Sequence, residues 1–178
     1  MSIRKIAIIG PESTGKSTLS KTLAAELHTV WVPEYARSYL ETLQREYVEN
    51  DLLLMAQGQM AQEDILIKNA DAYLICDTDL HVLKVWSEHK YHRCHPWILE
   101  QIAQRKYDMY LLTYIDIEWS YDPQREHPDT TMRKYFYNIY RDIVQNSGLP
   151  WVDIRGGEHE RLHTAKESIS QILNNTTK

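Results

Sequence analysis

The chain has 178 residues, of which 43% are hydrophobic and 25% charged, with a formal net charge of −5 at pH 7. That length suits one domain with its own core, and the acidic balance excludes the nonspecific nucleic-acid binders, which need surplus Lys and Arg against phosphate. No stretch reaches the ~18 apolar residues of a membrane-spanning helix.

The opening Met1-Ser2-Ile3-Arg4-Lys5 has no signal-peptide character and leads into a first strand over Arg4–Ile9. Its run Ile6-Ala7-Ile8-Ile9 is apolar without alternation, as in a central parallel strand buried on both faces. Gly10-Pro11-Glu12-Ser13-Thr14-Gly15-Lys16-Ser17-Thr18 follows and fits the phosphate-binding P-loop, G-x-x-x-x-G-K-[S/T]. Leu19, Leu23 and Leu27 then recur every fourth residue and predict a helix over Gly15–Leu27. A P-loop needs this strand before it and this helix after it. Gly10 and Gly15 let the backbone wrap closely, so that N–H groups from Glu12 to Thr18 face a polyphosphate at a helix N-terminus. Lys16 would set an ammonium against the phosphates, and Ser17 would offer a hydroxyl to Mg²⁺. ATP and Mg²⁺ are therefore the expected cofactors.

His28–Val32 reads as a short second strand, and Pro33-Glu34-Tyr35-Ala36-Arg37 opens a helix behind it. Glu34, just past that strand, is a candidate to accept a hydroxyl proton or hold a ribose. Arg37, one turn on, would pair with Glu34 or approach a phosphate. A long helix is predicted over Leu52–Lys68 and a third buried strand over Ala72–Cys76. Asp77 ends that strand, where a P-loop enzyme needs an acidic partner for its metal. Asp79 is either a helix cap or a substrate contact.

Helices are predicted over Leu80–Glu88 and Pro96–Gln104. Trp86 lies on the first of these, as core packing or as an aromatic face for an acceptor. Between them His89, His92, Cys94 and His95 crowd together, yet at no standard zinc spacing. Cys76 and Cys94 likewise suggest no paired site, and a reduced cytoplasmic setting is expected. Asp108–Ile115 is a fourth strand, and the polar stretch Glu118–Arg133 is the expected lid, with Arg125 to act on the transferring phosphoryl group. Helix Thr131–Asn146, strand Trp151–Ile154, helix Glu158–Leu173 and a frayed tail 174–178 complete the chain. Strands alternate with helices throughout. The fold class is α/β, a parallel sheet of about five strands with helices on both faces, in one domain.

Several of these pieces together resemble one family. The P-loop, Pro33-Glu34-Tyr35-Ala36-Arg37, Asp77-Thr78-Asp79, His95-Pro96 and Glu118-Trp119-Ser120-Tyr121-Asp122-Pro123-Gln124-Arg125 look like the nicotinamide riboside kinase domain of the bifunctional bacterial regulator of NAD synthesis. The resemblance spans nearly the whole chain. It implies a P-loop NTPase fold and phosphoryl transfer from ATP to the 5′-hydroxyl of nicotinamide riboside. By position it implies Lys16 and Ser17 at phosphate and Mg²⁺, Asp77 and Glu34 as the acidic groups, Arg125 as the lid arginine and an aromatic acceptor wall at Trp86. Two departures stand out. The chain opens at the first strand, so the regulator's DNA-binding and adenylyltransferase domains are expected to be missing from it. The lid reads Asp122-Pro123-Gln124-Arg125 where the family often has Gly. Other readings on the same fold are a kinase for another nucleoside or nucleotide, and a regulatory ATP-binding module.

Overall fold

The computed structural model describes residues 2–173; the expected frayed tail lies outside them. Five parallel strands form one sheet in the order β2-β3-β1-β4-β5. They are β1 (Arg4–Ile9), β2 (Trp31–Val32), β3 (Tyr73–Asp77), β4 (Met109–Thr113) and β5 (Trp151–Ile154). The helices are α1 (Lys16–Glu26), α2 (Tyr35–Thr42), α3 (Glu49–Leu66), α4 (Leu80–Tyr91), α5 (Pro96–Gln104), α6 (Thr130–Asn146) and α7 (Glu158–Leu173), with a 3₁₀ turn at Ile67–Asn69. This is the expected α/β P-loop architecture.

Strand β1 lies in the middle and explains the unbroken apolar run. Ala7 and Ile9 join one core with Val82 and Val85 of α4 and Phe136, Tyr140 and Val144 of α6. Ile6 and Ile8 point the other way, to Leu19, Leu23 and Ala24 of α1 and Ala165 and Ile169 of α7. All four β1 residues have zero exposure, so both faces of the sheet are covered and neither permits an alternating polar pattern. A third cluster, with Leu52, Met55 and Met60 of α3 at its heart, packs α2, α3, α4 and α5 beside the main sandwich.

Element boundaries differ from the sequence reading where side chains rather than periodicity decide. The second strand keeps only two residues, because His28 takes a left-handed φ of 51° and Thr29 N–H still bonds the helix carbonyl of Ala24. Helix α3 begins three residues before the predicted Leu52. The Asp51 carboxylate accepts from Val48 N–H at 2.7 Å, which starts the helix early. Burial alone would have raised the Asp51 pKa, but hydrogen bonds, first from Arg45, hold it well below the carboxylate range. Helix α6 starts at Thr130, capped by Asp129, so Arg133 sits on a helix and the irregular lid is shorter than expected.

Chain order sets the site. From β1 the chain moves to β2 and β3 on one side, then crosses to β4 and β5 on the other. The crevice beyond the carboxyl ends of β1 and β3, at this reversal, is where open α/β sheets bind ligands.

Candidate phosphoryl-transfer site

The loop leaving β1 is held open by its neighbours. Gly10 has φ 147°, and a Cβ there would overlap the Thr113 side chain and carbonyl at the end of β4. Gly15 has φ 74° and Ser13 φ 55°. Such positive values are cheap for glycine and uncommon for serine. Together they bend the loop into a cradle ahead of α1. Thr14, fully buried, bonds the Pro11 carbonyl and the Thr113 hydroxyl, each at 2.7 Å. Behind the cradle lies Arg161 of α7, 2% exposed. Its guanidinium donates to Thr14 O at 2.9 Å, Tyr114 O at 3.1 Å, Gly156 O at 2.7 Å and the Asp116 carboxylate. One side chain thus ties the P-loop, the end of β4 and the start of α7. The sequence reading missed it, since nothing near residue 161 signals a partner more than 140 residues away.

Lys16 reaches back across the loop and donates to Pro11 O at 2.7 Å. Desolvation in the cleft lowers its pKa, against the raising influence of Glu34, Asp77 and Glu12. The ammonium therefore stays where anionic groups converge and is ready for a stronger anion. Ser17 and Thr18 follow on the first turn of α1, and the Ser17 hydroxyl is near enough to Asp77 to work against the rise of its pKa.

Asp77 is 1% exposed, and its Oδ1 has no hydrogen-bond partner. Burial first, and the Glu34 charge second, push its pKa up to about 6. A buried carboxylate oxygen without a donor, beside a serine hydroxyl and at a phosphate cradle, fits a hard divalent cation with oxygen ligands. Ser17 and Asp77 are the residues that fit Mg²⁺.

Glu34 stands at the N-cap position of α2, yet its side chain makes no cap bond and lines the cleft instead. Helix α3 holds its loop. Gln59 accepts from Tyr35 N–H at 2.7 Å, and Gln62 donates to Pro33 O at 2.7 Å. Gly58 leaves room for the Tyr35 ring, which any Cβ would strike. Arg37 also lines the cleft; of the two roles expected for it the structure does not show the pairing with Glu34, because Arg37 donates to Asp122 of the lid at 2.9 Å. That bond joins residues 85 apart in sequence, beyond any local pattern. Of the two expectations for Asp79, the structure shows the helix cap. It caps α4 through His81 N–H at 2.9 Å, and its other oxygen meets His81 Nδ1 at 2.7 Å and Tyr110 OH at 3.0 Å. Buried and fully engaged, it is absent from the walls of the cleft.

The lid crosses above. Arg125 donates to Ser13 Oγ at 3.3 Å and to Ser120 O and Oγ, both at 2.5 Å. Arg133, 4% exposed, donates to Ser13 O and Ile117 O at 3.1 Å each, and its Nε has no partner. Burial lowers its pKa. The Glu12 carboxylate, expected at the nucleotide with its neighbours, is held by lid donors.

Three cavities meet here. A phosphate cleft of about 380 Å³ is walled by the P-loop, Glu34, Asp77 and Arg125. One of about 290 Å³ lies beyond Gly15 and Thr18, against Ile117, His159 and Leu162. The largest, about 590 Å³, shares Arg37, Trp86, Asp122 and Gln124 with the cleft and continues to Glu41, Tyr47 and Lys90. Trp86 forms the divide between them and belongs to the core as well: one face stacks on Tyr47, with centroids 6.3 Å apart. The histidines are spread out. His89 packs on His127 and Phe136, His92 ends α4 with φ 57°, and His95 caps α5. Among the described residues no group of three or more His, Cys, Asp or Glu is placed to hold a metal. Among them, too, no helix is long and apolar enough to cross a membrane.

Comparison with known proteins agrees with this geometry. The trifunctional NAD biosynthesis/regulator proteins NadR of Salmonella typhimurium and Escherichia coli are each 25% identical over 96% of this chain. The chain spans 43% of their length. Two NadR crystal structures, one with nicotinamide riboside (NR) and one with NAD and AMP-PNP, superpose with TM-scores of 0.80 and 0.77 at 22% and 21% identity. They are matched over 97% and 96% of this chain and 52% and 49% of their own. Thymidylate kinase from Ehrlichia chaffeensis shares the fold at a TM-score of 0.65 and 14% identity, covering 97% of this chain and all of its own. A family described as an AAA domain matches residues 5–161, nearly the whole P-loop unit from β1 to the buried arginine of α7, and the chain belongs to that family.

Proposed function

We propose that the protein is a Mg-ATP-dependent small-molecule kinase that phosphorylates the 5′-hydroxyl of a ribosyl acceptor, with nicotinamide riboside the leading candidate. One observation carries this reading: a second, walled chamber large enough for a nucleoside adjoins the phosphate cleft and shares Arg37, Trp86, Asp122 and Gln124 with it. A module that only hydrolysed ATP would need no such chamber. The triphosphate would lie along the P-loop, with its base in the cavity beside Thr18 and His159. Lys16 and Arg125 would meet charge on the transferring group from opposite sides. Mg²⁺, held by Ser17 and Asp77, would neutralise phosphate charge as it does in this reaction class. With Asp77 on the metal side, Glu34 is the carboxylate free to take the hydroxyl proton. The protein supplies positioning and electrostatics, without a covalent intermediate.

The chamber suits a cationic acceptor. Its walls carry Glu12, Glu41, Glu46, Asp122 and Glu126 against Arg37, Arg45 and Lys90, an excess of acid. All three of those cations are already paired, Arg37 with Asp122, Arg45 with Asp51 and Lys90 with Glu126. Lys90 lies 3.7 Å from the Tyr47 ring centroid, so an acceptor cation would displace that ammonium or lie against Trp86. The pyridinium of nicotinamide riboside would exploit the same faces, worth ~0.5–2 kcal/mol.

The test is a nucleoside panel with Mg-ATP, reading both ADP and phosphorylated product. The expected kcat/KM for nicotinamide riboside is at least about tenfold above those for uridine, cytidine and thymidine, and Trp86→Leu should erase the preference. Equal use of the neutral nucleosides would overturn the acceptor while leaving a kinase. ADP without any phosphorylated nucleoside would overturn the kinase.

A further inference from the structure

An acidic residue inside a phosphate-binding loop is out of place by charge alone. Glu12 is half-buried at the third position of the loop, with Lys16 close enough to feel its charge. A carboxylate there repels a polyphosphate, so this residue type needs another explanation. The donors around it give one. Glu12 Oε1 accepts from His127 N–H at 2.6 Å and from the Trp119 indole N–H at 3.3 Å. Oε2 accepts from Glu126 N–H at 3.0 Å. Two successive backbone N–H groups and one indole thus converge on one carboxylate, all from the lid.

The arrangement matters because of where these donors lie. Trp119 is at one end of the lid segment and Glu126-His127 at the other. Pinning both ends to one side chain closes residues 120–125 into a loop fixed to the P-loop. Arg125 is inside that loop, and its guanidinium holds Ser120 from within and Ser13 across the gap. Ser13 Oγ also accepts from Ser120 N–H at 3.1 Å. On the acceptor side the same lid is held by Arg37 with Asp122 and by Gln124 with the Arg37 carbonyl. Without Glu12 these remaining bonds attach the middle of the lid; the Trp119 indole loses its acceptor, and the 126–127 end keeps only the exposed Glu126 side-chain contacts with Tyr47 and Lys90 and the packing of the His127 ring on His89 and Phe136.

We propose that Glu12 is a positioning residue that clamps both ends of the lid onto the phosphate loop and thereby sets Arg125 for phosphoryl transfer. The kinetic half rests on the kinase reading above; the clamp itself does not. A clamp of this kind acts on the lid and spares the cradle, whose bonds run through Thr14 and Arg161.

Glu12→Ala and Glu12→Gln separate the possibilities in the full chain. Amide exchange of residues 119–127 and tryptic cleavage after Arg125 read the clamp directly, with no substrate present. Cleavage should speed up about tenfold or more in Glu12→Ala and less in Glu12→Gln, whose one carbonyl oxygen still accepts, while Tm stays within about 3 °C. With Mg-ATP and the acceptor chosen from the panel, kcat should fall about tenfold or more while KM for ATP moves less than about threefold. Unchanged exchange and cleavage at 119–127 would overturn the clamp, even if the enzyme is a normal kinase. A rise in KM for ATP at constant kcat would overturn the positioning role, assigning Glu12 to nucleotide binding. If wild type transfers no phosphate to any acceptor, the kinase reading fails, and the exchange and cleavage arms still decide the clamp.

Discussion

The two walls of the phosphate site are built from different materials. Below, the cradle is fixed by backbone geometry and buried bonds: Gly10 against β4, Thr14 against Thr113, and Arg161 across three segments. Above, the lid is irregular from 114 to 129, apart from turns, and rests on side chains such as Glu12, Ser13 and Arg37. The cradle must be rigid, because preorganised donors act on phosphate charge without reorganising. On the kinase reading proposed above the lid would open to admit an acceptor, and its contacts are polar and partly exposed, as such a segment needs. On that reading both walls would serve one anion, and only one of them would have to move.

Lys16→Ala should break the cradle's function most deeply. Turnover should fall by about a thousandfold or more with Tm nearly unchanged, because the half-buried ammonium adds charge rather than packing. Normal turnover in the folded variant would remove the P-loop from the mechanism.

Arg161→Met attacks the same wall through its support. It leaves Thr14 O, Tyr114 O and Asp116 without their shared donor. A loss of about 3 kcal/mol in denaturant unfolding is expected, with weaker ATP binding. Stability within about 0.5 kcal/mol of wild type would show that the cradle stands without this tie.

Asp77→Asn should set activity against stability. Activity should fall about a hundredfold, since the charge facing Mg²⁺ is gone. The metal-free fold should gain. The Asp77 pKa is raised to about 6 in the folded chain from an ordinary 3.8, so the protonated form is the one folding favours. Its contribution is fully present below pH 3.8 and is lost as pH rises through about 6. At pH 7.5 the native carboxylate therefore costs ~1–3 kcal/mol that Asn avoids, and at pH 3.5 the two proteins should match. Unfolding curves at both pH values check this; an Asn variant no more stable at pH 7.5 would deny the burial cost.

Arg125→Ala, on the movable wall, is expected to be the mildest. It should lower kcat by about tenfold to a hundredfold and leave KM for ATP almost constant, because a lid arginine acts on transition-state charge. A change in KM alone would make it a ground-state ligand.

The division between walls also marks what the sequence could reveal. The cradle is written locally. Apolar strand, glycines, lysine and apolar helix stripe follow each other within some twenty residues, and Glu34 and Asp77 announce themselves as acids just past buried strands. The alternation of elements carries the sheet, down to five parallel strands. What stayed hidden are partnerships over distance. Arg161 with Thr14, Arg37 with Asp122, Glu12 with the lid backbone and Tyr47 with Trp86 each need the fold to bring them together. Asp79 was left open for a different reason. An Asp before a helix is equally a cap and a ligand by sequence, and only the Tyr110 hydroxyl and His81 beside it decide for the cap.

Arg161 has a consequence for the heat of binding. A guanidinium buried beneath the cradle spends its donors on three carbonyls and one carboxylate before any ligand arrives. The loop conformation is then already chosen in the free protein, and a nucleotide entering it has little chain to immobilise. Titration calorimetry with an ATP analogue and no acceptor should show a small entropic penalty. An acceptor that had to re-close the lid around itself, as the proposed function implies, should carry the larger one, a signature of ordering coupled to binding. The two ligands of one reaction would thus differ in which thermodynamic quantity drives them into the site.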